Sequence, residues 1–333
     1  MDKPKMQDIA NALSTSRISV WKALNDKPGV SKELREKVLE NARQIGYLKE
    51  IDTYPEKVRS VSRTIAAVVS RPESSTFWMQ IIHQIAKELS QNNVNLMYTY
   101  MPVHYTQGDT LPEQLGDGSV SGIIVLNIYS EQQLRMLADL AIPKVFLDSI
   151  PALPPDEMGG DIVIIEGRTV VGEITGSLLD NGSMILGFVG DINYAQTNMD
   201  RYMGFKDAHI KRGVKIDEAY SLTGKLHLDT HYQQISEFMS TLKSMPDGFV
   251  CASDYIAHFI KRYFTENNID HSKIHLTGFD NSTEYSNVAN KITTVDVKTT
   301  SMGERLANKI MFRANYPDLP HEVSYVLTKV IYR

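Results

Sequence analysis

From Thr64 onward the chain alternates short, continuously apolar runs with helix-like stretches, a pattern few folds accommodate. The runs are TIAAVVS (64–70), NLMYTYM (95–101), GIIVLN (122–127), KVFLDS (144–149), DIVIIE (161–166), ILGFVGD (185–191), GFVCAS (248–253) and IHLTGFD (274–280). Stretches such as FWMQIIHQIAKELSQNN and DRYMGFKDAHIKRG fall between them. A strand that is apolar on both faces must be covered on both, as in a parallel sheet with helices on either side. So many units suit two doubly wound subdomains better than one sheet, and ligands in such sheets bind beyond the carboxyl ends of the strands.

Polar residues gather at those ends. Phe77 follows the first run, Asp148 ends KVFLD, Ser253 and Asp254 end GFVCASD, and Asp280 ends LTGFD, while Arg201 sits near a helix start in DRYMGF. An arginine, several carboxylates and an aromatic face suit a sugar, whose hydroxyls take bidentate hydrogen bonds while its apolar ring face stacks. Acids at strand ends also serve as helix caps, and Asp254, just before YIAHFIKRYF, reads as one. Taken as a carboxylate pair, Asp148 and Asp280 suggest glycoside hydrolysis. Nothing fixes their separation, however, and catalysis leaves the first 50 residues without a role, so we expect no enzyme. No phosphate-binding loop is present, and GFVGD (187–191) is too weak to argue for a nucleotide, so no cofactor is expected. His271 and His275 lack the companions of a zinc site, so no metal is expected either.

Of the 333 residues 42% are hydrophobic and 23% charged, with a net charge of −5, as expected of a soluble globular chain. No apolar run approaches a membrane span, and MDKPKMQD has no apolar segment of a secretory signal. The single Cys251 excludes an internal disulfide and fits a cytoplasmic protein. Charge is unevenly placed. Residues 1–63 hold 13 Lys and Arg against 9 Asp and Glu, a net of +4, whereas the remainder holds 22 against 31, a net of −9. A basic head on an acidic body is associated with nucleic-acid binding, although a short segment also reaches +4 by chance.

That head reads as three short helices. MQDIANAL (6–13) places Ile9, Ala10 and Leu13 on one face; Ser16 can cap a second helix running to about Asn25; NDKPG (25–29) is a turn. Ser31 can cap a third helix with Leu34, Val38, Ala42 and Ile45 inward and Gly46 as its stop. Helix, turn, helix and bracing helix is a plan that docks its second helix in the major groove of DNA. There Arg17 suits guanine O6 and N7, Ile18 suits a thymine methyl, and Lys22 reaches a base or a phosphate. Ser16, Asn25 and Ser31 are short donors of the kind that hold phosphate. A three-helix protein-interaction domain is the competing reading.

The stretch from Met6 to Tyr47 resembles the headpiece of the lactose-repressor (LacI/GalR) family of bacterial transcription regulators, through DIA (8–10), ISVWKALN (18–25), VSKELREKV (30–38) and IGY (45–47). By that resemblance Arg17, Ile18 and Lys22 stand at the base-reading positions. The chain departs from its relatives in three places: Ser14 replaces the usual turn glycine, Trp21 a serine and Lys22 the common arginine, so Trp21 joins the DNA-facing set. Relatives follow the headpiece with a hinge helix that wedges a leucine into the minor groove. Here LKEIDTYPEKVRSVSRT (48–64) has none, and Pro55 suits only a first helical turn. Either a displaced hinge helix runs from Pro55 to about Val61 with Val58 or Val61 as a smaller wedge, or the segment is a flexible linker. Lys57, Arg59 and Arg63 can touch phosphates in both cases.

The body resembles the same family in order, through DGSVSGIIVL, IPKVFLDS, DRYMGFKDA, SDYIAHFIKRYFTENNI, HLTGFDN and ITTVDVKTTSMGERLANKI. The resemblance implies an all-α helix-turn-helix headpiece (1–49), a hinge (50–63) and a periplasmic-binding-protein-like α/β sensor (64–333). The expected subdomains are 64–160 with 293–321, and 161–290 with 322–333. It maps the effector site to Phe77, Asp148, Arg201, Ser253, Asp280 and Thr299. IEGRTVVG (165–172) departs from the usual Asp-Asn, and Ser253 from a frequent Asn. The implied function is a cytoplasmic repressor of carbohydrate-utilisation genes that binds a pseudo-palindromic double-stranded DNA operator under a sugar-like effector, with no membrane partner. The absence of a heptad tail before Arg333 favours a homodimer. Control by a protein partner or a nucleobase-type co-repressor is the alternative within the same architecture.

Overall fold

The structure, a computed structural model, describes residues 5–24, 27, 29–45, 47, 63–71 and 75–333. The chain folds as two compact units, residues 1–61 and 62–333.

In the first unit α1 (Met6–Ala12), α2 (Arg17–Leu24) and α3 (Lys32–Gln44) enclose a small core of Ile9, Ala10, Val20, Ala23, Val38 and Ala42. The apolar periodicity of each helix is therefore what buries it. The helix starts are satisfied by short side chains: the Asp8 carboxylate accepts the Lys5 N–H at 2.7 Å, Ser16 Oγ the Ser19 N–H at 3.0 Å, and Ser31 Oγ the Leu34 N–H at 3.2 Å. Each partner serves an amide that no helix carbonyl can reach. In the turn before α2, Ser14 adopts φ +48°, a left-handed conformation that costs a side-chain-bearing residue roughly 1–2 kcal/mol. The resemblance placed a glycine there. Asn25, Gly46 and the expected hinge helix with Val58 lie outside the described residues.

Among the described residues the second unit carries two parallel sheets and a two-stranded antiparallel ribbon. The first is parallel throughout, in the order β10 (Val323–Val326), β5 (Asp161–Ile165), β4 (Lys144–Leu147), β3 (Gly122–Leu126), β1 (Thr64–Val69) and β2 (Asn95–Tyr100). Alternate residues of one strand enter different cores: Ile65, Ala67 and Val69 face α4 (Thr76–Gln91) and α10 (Thr299–Asn315), while Ala66 and Val68 face the core that holds Leu134 and Leu137 of α5 (Glu131–Ala138). Coverage on both sides explains why these strands read as unbroken apolar runs. The buried Lys144 turns its Nζ onto the carbonyl oxygens of Ala138, Leu140 and Gly159 at 2.7–3.0 Å, satisfying the end of α5.

The second sheet orders β6 (Leu186–Val189), β7 (Gly248–Cys251) and β8 (His275–Thr277), again parallel. It lies between α6 (Arg168–Asp180) with α7 (Gln196–Arg212) on one face and α8 (His231–Thr241) with α9 (Asp254–Glu266) on the other. α6 and α7 touch at Gly172 and Gly204, where a Cβ on Gly204 would stand 2.1 Å from the Arg168 carbonyl oxygen. β9 (Thr294–Asp296) adjoins this sheet through bridges 277–293 and 280–296, and β11 (Lys329–Ile331) pairs antiparallel with β9.

The expected subdomain boundaries are corrected by this pairing. Segments 161–165 and 323–326 were assigned to the second subdomain but hydrogen-bond into the first sheet, whereas 294–296 was assigned to the first and adjoins the second. An apolar run states that a strand is buried, not which neighbour it pairs with. The chain consequently passes between the layers at 166–167, 297–298 and 327–328. At two of these crossings Glu166 N–H donates to Val326 O at 2.9 Å, and Thr328 Oγ1 donates to Glu166 O at 3.0 Å.

A buried ion pair fixes the entry to β10. Arg313 near the end of α10 donates from Nη2 and Nε to the Asp161 carboxylate at 2.6 and 3.0 Å, and its guanidinium also binds the carbonyl oxygens of Leu319 and Pro320. The same carboxylate accepts the Glu322 N–H at 3.0 Å. Removing one member of such a pair strands a charge without water. Arg313→Leu is therefore expected to lower stability by about 3–5 kcal/mol, read as the urea midpoint of the full chain; an unchanged midpoint refutes the role.

Candidate functional site

In the first unit the second helix presents the residues singled out for DNA. Arg17, Ile18 and Trp21 are exposed along α2, and Ser16 and Ser31 stand at the starts of α2 and α3. Both serines act as caps through their oxygens. Lys22 is only partly exposed. Its Nζ lies back over the turn, 3.3 Å from where a Gly29 Cβ would be.

In the second unit a cavity of about 260 Å³ opens beyond the carboxyl ends of both parallel sheets. It gathers five of the six residues named for an effector: Phe77, Asp148, Arg201, Ser253 and Asp280. Thr299 is the exception. It begins α10, and its hydroxyl donates to Gln80 Oε1 at 2.7 Å, away from the cavity. Asp254 is corrected as well. Ser253 is the cap, its Oγ accepting the Ile256 N–H at 3.3 Å. The buried Asp254 carboxylate instead accepts from Thr294 Oγ1 and from the Ser282 N–H, both at 2.7 Å, tying α9 to the segments beyond β8.

The two cavity aspartates do different work. Both hold positive φ, +73° at Asp148 and +103° at Asp280, a strained arrangement that concentrates at binding sites. The Asp148 carboxylate is engaged: it accepts from Thr197 Oγ1 at 2.6 Å, from the Thr197 N–H at 3.2 Å and from the Ser149 N–H at 2.8 Å. Burial raises its pKa and the Thr197 hydroxyl opposes the rise. Among the described residues no hydrogen bond reaches the Asp280 carboxylate. Burial pushes it up to about 7 against the pull of Arg201, with the Asp254 and Glu284 carboxylates adding to the rise. Arg201 is held from behind. Its Nη1 donates to Ala252 O at 2.6 Å, its guanidinium carbon lies 3.6 Å from the centre of the Phe279 ring, and its buried Nε finds no acceptor among the described residues. The cavity thus offers one open acceptor beside one partly used donor fork, the combination that grips a pair of hydroxyls.

Aromatic walls complete it. Tyr129 and Tyr194 pack with ring centres 4.5 Å apart, and Phe77 meets Trp78 edge-on at 5.2 Å. Burial lifts the Tyr194 hydroxyl to about 12 and raises the Tyr129 hydroxyl well above its ordinary value. The sequence reading missed Trp78, Tyr129, Thr197 and Tyr285. Tyr129 just follows β3, so the strand-end rule that found Asp148 was able to find it. Tyr285 sits in an irregular segment with no comparable signal. Among the described residues no cluster of His, Cys, Asp and Glu has the makings of a metal site, and no helix is long and apolar enough to cross a membrane.

Comparison with known proteins agrees with both units. A family model for a periplasmic binding protein-like domain matches residues 175–333. The HTH-type transcriptional regulator RegA of Clostridium saccharobutylicum is 24% identical over 97% of this chain and 96% of its own, and the sucrose operon repressor of Klebsiella pneumoniae 23% identical over 87% and 86%. Among solved structures, a transcriptional regulator CelR–cellobiose complex superposes with a TM-score of 0.71 at 20% identity over 99% of both chains. The Lac repressor dimer bound to operator and the anti-inducer ONPF does so at 0.69 and 17%, covering 100% of this chain and 98% of that one. With a three-helix head, two parallel sheets around a cavity and regulators aligned along nearly its whole length, this chain is similar to the LacI-type transcription regulators among its relatives and structural neighbours.

Proposed function

We propose that this protein is a homodimeric transcriptional repressor that reads a pseudo-palindromic operator through α2 and releases or tightens its grip when a sugar fills the cavity. The observation that carries the reading is the cavity pair of Arg201 and the unbonded Asp280 carboxylate, on a chain whose head exposes Arg17 and Ile18 along one helix. Relatives support both halves: one is a sucrose operon repressor, one solved neighbour holds cellobiose and another is bound to operator DNA. Engagement of Asp148 by Thr197 and Ser149 leaves Asp280 without a second free carboxylate opposite it, which supports binding over glycoside hydrolysis. A sugar shifts operator affinity only to the extent that it binds the two conformations differently.

Two outcomes test this. In an unbiased selection from random duplexes, the full chain should enrich a two-fold site. Arg17→Ala should then cost about 1–3 kcal/mol and relax preference at one position of each half-site; an unaltered profile removes Arg17 from the base-reading set. The second concerns Asp280. Its pKa in the folded chain is raised, so its contribution to stability is greatest at low pH and is lost as pH rises through about 7. Asp280→Asn, which keeps the shape and tolerates positive φ, should therefore raise the melting temperature at pH 8 while abolishing the shift given by sucrose or cellobiose in the parent. Arg201→Ala should abolish that shift with DNA binding intact. A retained sugar response in either variant overturns the assignment.

A further inference from the structure

We propose that a second cavity, walled by Tyr100, Tyr105, Asp109 and Gln133 at the β2 edge of the first sheet, binds a small primary amine in its protonated form. This site is separate from the sugar cavity and does not rest on the reading of that cavity as a sensor.

The cavity arises from an irregular crossover. Parallel strands are joined by about a dozen or more residues, usually a helix. Between β2 and β3 the chain instead runs through 101–121 with only a short 3-10 turn at Glu113–Leu115. Pro102, Gly108, Pro112, Gly116 and Gly118 account for this, since proline removes an amide donor and both residues are poor helix formers. Leu111 and Leu115 still pack onto the core that holds Met101. Without a helix, however, the segment leaves a gap of about 350 Å³ against Gln133 and Met136 of α5. That volume falls within the range of about 300–1,000 Å³ common to small-molecule sites. None of its lining residues belongs to the sugar cavity.

The lining sets the sign of the ligand. Gln133 is 2% exposed; its side-chain nitrogen donates to Pro102 O at 2.8 Å, and among the described residues no donor reaches its Oε1. Asp109 accepts the Thr106 N–H through Oδ2 at 2.7 Å, and among the described residues nothing donates to its Oδ1. The lining thus offers open acceptors, and it includes no Lys, Arg or His. Between Pro102 and Ser121 the chain carries Asp109, Glu113 and Asp117 with no Lys or Arg. On the adjoining helix Arg135 is held by Glu131 and Glu157 at 2.9 and 2.7 Å. A buried acceptor left without a donor is costly, so a ligand that brings only donors is favoured. An ammonium is such a group. Met101 and Met136 suit its alkyl chain, and the tyrosine rings attract its charge. A hydroxyl brings an acceptor along with its donor, and a carboxylate brings no donor and would meet Asp109.

The test titrates the full chain with butylammonium by isothermal calorimetry, beside butanol, butyrate and tetramethylammonium. Butylammonium should bind once per chain, while butanol and butyrate should not bind. Tetramethylammonium, charged but without N–H groups, should bind about tenfold more weakly, as expected for lost hydrogen bonds to charged groups. Asp109→Asn keeps an oxygen for the Thr106 N–H and should weaken butylammonium about tenfold. Tyr105→Ala should weaken it about fivefold, the worth of one cation–π contact. Arg201→Ala should leave the titration unaltered. Absence of butylammonium binding, or equal affinity for butanol, overturns the proposal in the parent chain with no variant involved. So does an unchanged isotherm in Asp109→Asn, and so does its loss in Arg201→Ala, which would place the amine in the sugar cavity instead.

Discussion

A carboxylate sealed from water has to be answered by a fixed charge, and at Asp161 that answer comes from Arg313, more than 150 residues along the chain. The pair does more than neutralise itself. Arg313 also gathers the carbonyls of 319 and 320, and Asp161 takes the amide of Glu322, so the chain is delivered to β10 in register beside β5. Only with β10 in place does Val326 meet Glu166, and only then does the chain cross to pair β11 with β9. The relation between the two sheets, and with it the cavity at their carboxyl ends, follows from that anchorage. A hydrophobic pair of equal volume would not specify the same carbonyl partners.

How much of this was readable from sequence depended on whether local pattern and tertiary partner agree. The apolar runs became strands because burial on both faces leaves a mark in every residue. β9 and β11 are three residues long and β10 has exposed Val323 and Tyr325, so none left that mark. Subdomain membership was misread for the same reason: 161–165 is equally apolar in either sheet. Asp148, Arg201 and Asp280 were legible as site residues because they interrupt apolar runs at strand ends or open a helix. Thr299 entered only through the resemblance and faces Gln80 instead. Asp254 adjoins a helix start and so reads as a cap; the neighbouring Ser253, with its shorter side chain, fills that role and frees the aspartate to reach Thr294.

The two candidate sites share a principle. Each exposes groups that the fold has left uncommitted and braces them with groups that are fully committed. Arg201 is steadied by Phe279 and Ala252 so that part of its fork remains open, and Asp280 is held at φ +103° while Asp254 beneath it is saturated. On the head, Ser16 and Ser31 fix the helix starts that aim Arg17 and Ile18. Burial that raises the Asp280 pKa is the thermodynamic cost of keeping that acceptor open.

The start of α7 shows what such bracing entails. Its capping position is Ala195, which has no side-chain acceptor, and its first amides are taken up from across the cleft: Gln196 N–H by Ser149 O at 2.8 Å, and Thr197 N–H by Asp148. In the opposite direction, Glu284 from beyond β8 accepts the Thr76 N–H at the start of α4. Each lobe thus completes a helix belonging to the other. Prising the lobes apart strips partners from the first amides of both helices, so opening is opposed by lost hydrogen bonds as well as by lost surface, and a guest that displaces Thr197 from Asp148 must itself stand in for the amide it evicts.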